Sequence, residues 1–140
     1  MKKIFSVWVC CALLVFSCTA QKIKMPKAVS DAFATKFPEA KEVKWGKESA
    51  TEYEAEFKVK GQSVSANFDA TGKWVETEST IALSDLPPAV VAAVKGKFPN
   101  AEMTGAEKVD QPGKSLYEVL LKSNGRKKSV ELTPEGVFTE

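Results

Sequence analysis

The chain has 140 residues, 44% of them hydrophobic and 27% charged, the balance of one small soluble domain and not of a disordered chain or a membrane-embedded one. Twenty Lys and Arg stand against 18 Asp and Glu, and because Lys2 and Lys3 fall in a segment read below as a leader, the rest is neutral. That argues against nucleic acid or an anionic membrane surface as partner. Histidine is absent from the sequence and Cys10, Cys11 and Cys18 all lie in the leader, which removes the residues most used for metal ligation, nucleophilic attack and proton transfer near neutral pH.

Residues 1 to 20 read as a secretory signal. Lys2 and Lys3 supply the positive start, and Ile4 to Phe16 an apolar run of 13 residues. That is short of the ~20 needed to span a bilayer. Two processing sites compete. Cys18-Thr19-Ala20 places small residues where signal peptidase needs them, giving a product that starts at Gln21; Val15-Phe16-Ser17-Cys18 resembles a lipobox with a bulky Phe16, giving a chain lipid-anchored through Cys18. Either product leaves the cytoplasm for the periplasm or beyond, with at most one cysteine and so no internal disulfide.

An internal repeat organises the remainder. MPKAVSDAFATKFPEA from Met25 matches LPPAVVAAVKGKFPNA from Leu86 at an offset of 61; YEAEFKVKG from Tyr53 matches YEVLLKSNG from Tyr117, and DATG from Asp69 matches TPEG from Thr133, at an offset of 64. The second copy therefore carries three extra residues, near Asp110 to Gly113. Repeat 1 covers residues 25–79 and repeat 2 residues 86–140, with Ser79 to Asp85 as the link; the two are expected to form one domain.

Each copy opens with a helix, over 26–37 and 87–98. Val29, Phe33 and Phe37, like Val90, Val94 and Phe98, recur every four residues and form an apolar stripe. Pro26 and Pro87 suit the first turn, and Pro38 and Pro99 end the helices because the residue before proline avoids the α region. Strands follow. Tyr53, Ala55, Phe57 and Val59 alternate with Glu54, Glu56, Lys58 and Lys60, a half-buried pattern. Asn124-Gly125 is the favoured type I′ hairpin dipeptide, and Lys60-Gly61 stands in its place in repeat 1. That turn fixes parity: Val64, Ala66 and Phe68 join the inner face, and the DATG turn pairs Phe68 with Trp74, as TPEG pairs Leu132 with Phe138. A strand with Val43 and Trp45 precedes the first hairpin; the register of its counterpart, Glu102 to Val109, is left open. The fold class is α+β: two tandem helix-plus-antiparallel-strand repeats forming one six- to eight-stranded antiparallel sheet, two helices on one face and the other face open. Phe33, Phe37, Phe57, Phe68 and Trp74 are expected in one core, and Val94, Phe98, Leu121, Leu132 and Phe138 in the other.

The chemistry on offer is thin. Glu54 with Glu56, and Glu76 with Glu78, are carboxylate pairs at i, i+2 spacing, but an acid–base pair needs a pocket that separates their pKa values, and a solvated strand face is the simpler reading. Asp69 to Gly72 lacks the further oxygen ligands of a calcium loop and reads as a turn. Without histidine there is no serine triad, and GxSxG, SxxK and glycine-rich phosphate loops are missing, so catalytic residues, cofactor and metal are all expected to be none. Arg126-Lys127-Lys128 reads as a hairpin tip, and Tyr53, Trp74 and Tyr117 face the helices by parity, which favours core packing over a carbohydrate platform that would include Trp45. On the open side, Leu120 is the single large apolar residue that parity places among polar neighbours.

The tandem unit resembles the PepSY-like family of bacterial envelope proteins. The motif is Pro26, Ala28, Val29, Lys36, Phe37, Pro38, Ala40, Tyr53 and Glu54, repeated as Pro87, Ala89, Val90, Lys97, Phe98, Pro99, Ala101, Tyr117 and Glu118, and the resemblance spans residues 25–140. The family is similar in architecture to the β-lactamase inhibitor protein, which implies a protein-binding or inhibitory role by analogy. The resulting expectation is a non-enzymatic secreted envelope protein that binds, and can inhibit, an envelope or extracellular protein. Its contacts would be solvated residues on the open face: Glu54, Glu56, Lys58, Glu118, Leu120 and Lys122. The alternative is a small ligand or cell-wall fragment held in a cleft between the repeats.

Overall fold

The computed structural model describes residues 23–139; the leader and its two processing sites lie outside them. Helix α1 spans Lys27–Lys36 and α2 Pro88–Lys97, ten residues each. Pro26 and Pro87 sit one position earlier than the first turn, at the N-caps, and Pro88 takes the first helical position. At the other end Phe37 and Phe98 leave the helical region just before their prolines, each with its N–H bonded to the carbonyl four residues back at 2.8 Å.

Seven strands follow the chain order across one antiparallel sheet: β1 Lys41–Lys47, β2 Glu52–Val59, β3 Gln62–Asp69, β4 Trp74–Ile81, β5 Glu102–Gln111, β6 Lys114–Ser123 and β7 Arg126–Leu132. Lys60-Gly61 and Asn124-Gly125 both adopt positive φ between paired Val59/Gln62 and Ser123/Arg126, the two-residue turns that the dipeptides require. Phe68 pairs with Trp74 across a bulge, and the matching Leu132/Phe138 contact survives as a lone bridge in place of an eighth strand. Both repeats also carry an irregularity near the start of their first strand, between Lys41 and Lys44 and between Met103 and Gly105. β4 runs on to Ile81, so the connection to α2 is shorter than the sequence suggested and holds a 3-10 turn at Leu83–Asp85. The three extra residues of repeat 2 lengthen β5 and β6, which end in a turn at Pro112-Gly113, with Gly113 at positive φ.

Both helices cover the same face, since Ala66 pairs with Thr77 and Ile81 with Ala106, carrying one parity from β3 to β5. Val29 and Phe33 pack on Tyr53, Ala55, Phe57, Ala66 and Phe68; Val90 and Val94 pack on Ala106, Val119, Leu121 and Leu132. Phe33 lies at the centre of the first cluster, its ring 5.0 Å from those of Trp45 and Phe57 and 6.3 Å from Phe68. Phe37 and Phe98, expected deep in the core, are only half-buried, because the chain breaks out of the helix at these residues.

The lysine of each K-F-P motif has a packing role. Lys36 Nζ sits 3.7 Å from the Trp74 ring centroid and Lys97 Nζ 4.0 Å from that of Phe138, so each helix end is tied to the last aromatic of its own repeat. Between the two cores, Lys108 and Asp110 pair at 2.9 Å on the helix face, and Ser115 donates to the same carboxylate. Burial raises the Asp110 pKa, but the Ser115 hydroxyl and the Lys108 ammonium outweigh it and leave the group below the usual range. At the outer edges, Lys41, Lys44 and Lys47 on β1 and Arg126, Lys127 and Lys128 on β7 place charge on the two edge strands, which discourages edge-to-edge addition.

Candidate functional site: the open face of the sheet

Parity puts Glu54, Glu56 and Lys58 of β2 and Glu118, Leu120 and Lys122 of β6 on the face that the helices leave free, because their sequence neighbours are the core residues. All six candidates thus share one face, and the register supplies their company. Glu54 pairs with Asn67, which pairs with Glu76; Ser65 pairs with both Glu56 and Glu78; Glu78 then faces Val109, and Val109 faces Leu116. One row further, Thr80, Glu107, Glu118 and Glu131 stand side by side on β4 to β7.

Seven carboxylates, Glu54, Glu56, Glu76, Glu78, Glu107, Glu118 and Glu131, therefore converge here, and among the described residues none has an ion-pair partner. The hydrogen bonds they receive are few. Glu76 accepts from Gln111 Nε2 at 2.9 Å and Asn67 Nδ2 at 3.3 Å, Glu78 from Ser65 at 3.5 Å, and Glu131 from Thr139 at 3.1 Å. The lysines of this face lie around the carboxylates: Lys44 and Lys58 toward β1, Lys122 and Lys127 toward the β6–β7 tip, Lys114 toward the β5–β6 tip. Lys58 is already engaged by Glu42 at 2.8 Å.

Two expectations need correction. Glu56, Lys58, Leu120 and Lys122 are exposed, but Glu54 is half-buried and Glu118 is only 6% exposed, so these two are not solvated strand residues. Leu120 is also not the lone outward apolar side chain: Val109 and Leu116 share its face and are 2% and 4% exposed, an apolar strip flanked by carboxylates. The sequence offered a hint of this in the parity of Leu116 against Tyr117, but Val109 required the β5 register, which the irregularity at Met103–Gly105 conceals.

The electrostatic consequence is a set of carboxyls that resist ionisation. Burial, then Glu76, Glu107, Glu118 and Glu54, push Glu78 up to about 7. Burial, then Glu48, Glu56 and Glu76, raise Glu54, and burial followed by Glu118 raises Glu107. Because the folded protein holds the Glu78 proton more tightly than the unfolded chain, this group's stabilising contribution is complete below about 4.5 and is lost as pH rises through about 7. Glu78→Gln should accordingly be more stable than the parent at pH 8, by about 1 kcal/mol once solvent screening is allowed for, and indistinguishable from it near pH 4. Denaturant unfolding at the two pH values measures this; equal parent-to-variant differences at both would contradict it.

A groove of about 420 Å³ opens on the β1–β5 side of the face, lined by Glu54, Glu56, Glu78, Glu107, Lys44 and Lys58 together with the hydroxyl residues Ser63, Ser65 and Thr80. It lies across repeat 1 and the junction. The two repeats themselves meet in continuous paired sheet, from Thr77/Asp110 to Ile81/Ala106, and the groove crosses that junction at Glu78, Thr80 and Glu107. No group of three or more metal-ligating side chains is assembled among the described residues, and no described helix is long and apolar enough to cross a membrane. Asp69, the candidate calcium ligand, is spent on its own turn: its Oδ1 accepts from the Thr71 N–H at 2.8 Å, the Thr71 hydroxyl at 2.6 Å and the Lys73 N–H at 3.1 Å. The Thr71 hydroxyl holds its pKa low against the opposing effect of desolvation, helped by the Lys73 and Thr71 N–H groups.

Solved structures share this architecture. A DUF2874 family protein from Bacteroides ovatus is 23% identical, with a TM-score of 0.74 over 83% of this chain and 85% of its own. A second from Bacteroides uniformis is 23% identical, with a TM-score of 0.75 over 82% and 86%. A BLIP-like protein from Bacteroides fragilis is 22% identical, with a TM-score of 0.73 over 86% of both chains. The comparison with curated proteins gave no match. The family described as "Putative beta-lactamase-inhibitor-like, PepSY-like" matches residues 19–64 and 51–140, and with the tandem helix-and-sheet units both copies of its motif are accounted for: the chain belongs to the PepSY-like family.

Proposed function

We propose that this is a non-enzymatic secreted protein of the bacterial envelope that binds, and thereby inhibits, another protein through the open face of its sheet. The observation that carries the reading is the division of labour between the faces: one is consumed by two helices and two apolar cores, while the other holds a groove, a strip of apolar side chains and seven unpaired carboxylates. Such groups are costly in the free protein and become useful when a partner supplies their counterparts. The β-lactamase-inhibitor-like description of the family and the BLIP-like structural neighbour support a binding role over a catalytic one. So does the sequence, which has no histidine and no cysteine beyond Cys18 to serve as nucleophile or imidazole base. The leader carries the chain to the periplasm or outside the cell, freely or through a lipid on Cys18.

The test is a variant carrying Glu56→Lys, Leu120→Ala and Lys122→Glu. All three residues are exposed, so the thermal midpoint should stay within the equivalent of about 0.5 kcal/mol of the parent's. Affinity for the partner recovered from envelope extract should fall at least tenfold, since like charges are juxtaposed and an apolar contact is deleted. Parental affinity in a normally folded variant would sink the open-face reading.

A further inference from the structure

Several acceptors along the centre of the open face are short of a donor, although Glu76 and Glu78 receive hydrogen bonds from Gln111, Asn67 and Ser65. Glu118 is only 6% exposed, and among the described residues it receives no hydrogen bond and no cation, so its carboxylate oxygens are left to what solvent reaches them. Asn67 is 8% exposed and stands between Glu54 and Glu76; its amide nitrogen serves Glu76, and its buried Oδ1 has no partner. Carboxylates and amide oxygens are acceptors, so what completes this surface must bring N–H groups and positive charge together. Lysine and arginine do both.

The spacing selects between an ion and a chain. Glu107, Glu118 and Glu131 stand on three adjacent strands, so their row is roughly 10 Å long at the ~4.8 Å strand separation, and the groove beside it measures about 420 Å³. A single cation needs its oxygens within ~2.6 Å of one centre. No such group is assembled among the described residues. In an extended chain, side chains on one side recur about every 6.8 Å, which lets successive basic residues meet a carboxylate row while alternate residues point away. The lysines around the carboxylates, Lys44, Lys58, Lys114, Lys122 and Lys127, would repel such a chain anywhere except over the row.

Resting on the open-face reading above, we propose that the partner docks by laying an extended, lysine- or arginine-rich segment over Glu118 and Glu107 of this row and on, diagonally along the groove, past Glu78 and Glu54 of the neighbouring rows. The buried apolar pair of Val109 and Leu116 lies in the adjacent row, between Glu78 and the Glu107–Glu118 pair, and lowers the water content beside these groups, which strengthens each ion pair made there.

The probe is a ten-residue peptide alternating lysine with serine, with the glutamate–serine peptide as control and calcium chloride alone as a third titrant. At pH 7.5 and 20 mM salt the lysine peptide should bind the protein, weaken at least tenfold by 200 mM salt, and lose at least tenfold in affinity to a Glu107→Gln, Glu118→Gln variant; the control peptide should not bind. These substitutions remove repulsion, so the variant should unfold no earlier than the parent, and Glu54→Gln with Glu78→Gln serves as a second test at the far end of the segment's path, in the neighbouring rows of β2 and β4. A lysine peptide that does not bind, that binds both variants as tightly as the parent, or that is replaced by calcium as the only titrant taken up, overturns the proposal. The two readings separate cleanly. If the triple variant loses the native partner but the lysine peptide never binds, the basic-segment proposal fails and the open face stands. If the peptide binds the row while the triple variant keeps its partner, the open-face reading itself fails.

Discussion

Replacing Gly72 or Gly136 by alanine is expected to destabilise the protein by about 3 kcal/mol each, a large share of the total for a domain of this size. Both residues occupy the left-handed region, at φ +87° and +81°, where a side chain is strained. Both also press against a helix. A Cβ at Gly72 would stand 2.5 Å from the Ala28 carbonyl oxygen, and one at Gly136 would stand 2.5 Å from that of Ala89. Backbone cannot swing aside as a flexible side chain can, so the turn after β3 or β7 would have to lift its helix. This contact explains why each repeat keeps a glycine in the turn that follows its hairpin: the turn rests on the backbone of the helix's first turn, at Ala28 and at Ala89. Gly61 and Gly125 supply the contrast, with positive φ and nothing within 4 Å of a Cβ, so alanine there should cost only the backbone strain, about 1 kcal/mol. Urea unfolding of the four variants checks the ranking; equal losses at all four would remove this contact from the account.

The second large effect is expected at Phe33→Ala, about 3 to 5 kcal/mol, the range for deleting a buried aromatic ring. Phe33 touches the rings of Phe37, Trp45, Phe57 and Phe68, so its removal opens a cavity bounded by α1 and the first three strands. Phe37→Ala should cost clearly less, because Phe37 is half-buried at the C-cap and solvent can fill part of the space. Thermal or denaturant midpoints of the two variants decide it, and a greater loss at Phe37 would mean that the core centres one turn further along the helix.

The sequence was most informative where one residue type has one physical use. Asn124-Gly125 and Lys60-Gly61 fixed two hairpin registers, and from them the parity of β2, β3, β6 and β7, because a two-residue turn with positive φ leaves no freedom to slip. Pro38 and Pro99 marked the helix ends to within a residue. The same parity put all six candidate residues on the open face. What stayed hidden depends on irregularity or on distance. The break between Met103 and Gly105 erased the alternation of β5, and with it the places of Glu107 and Val109. Glu118 reads as an ordinary outward residue in its own strand; its burial follows from neighbours on β5 and β7 that no local pattern specifies. The gathering of seven carboxylates is likewise a property of sheet order. Glu78 meets Glu107, and Glu76 meets Gln111, only because β4 pairs with β5, and that junction joins the repeats.

Methyl NMR of the protein with its partner tests the central claim most directly. Leu83, Leu120 and Val137 are all exposed, but Leu120 alone of the three lies on the open face; Leu83 sits in the link between repeats and Val137 beyond β7. On addition of the partner the Leu120 methyls should broaden or shift first and most, together with those of the apolar strip at Val109 and Leu116, while Leu83 and Val137 stay at their free positions. Perturbation centred on Leu83 or Val137, with Leu120 unmoved, would contradict the account and place the partner away from the open face.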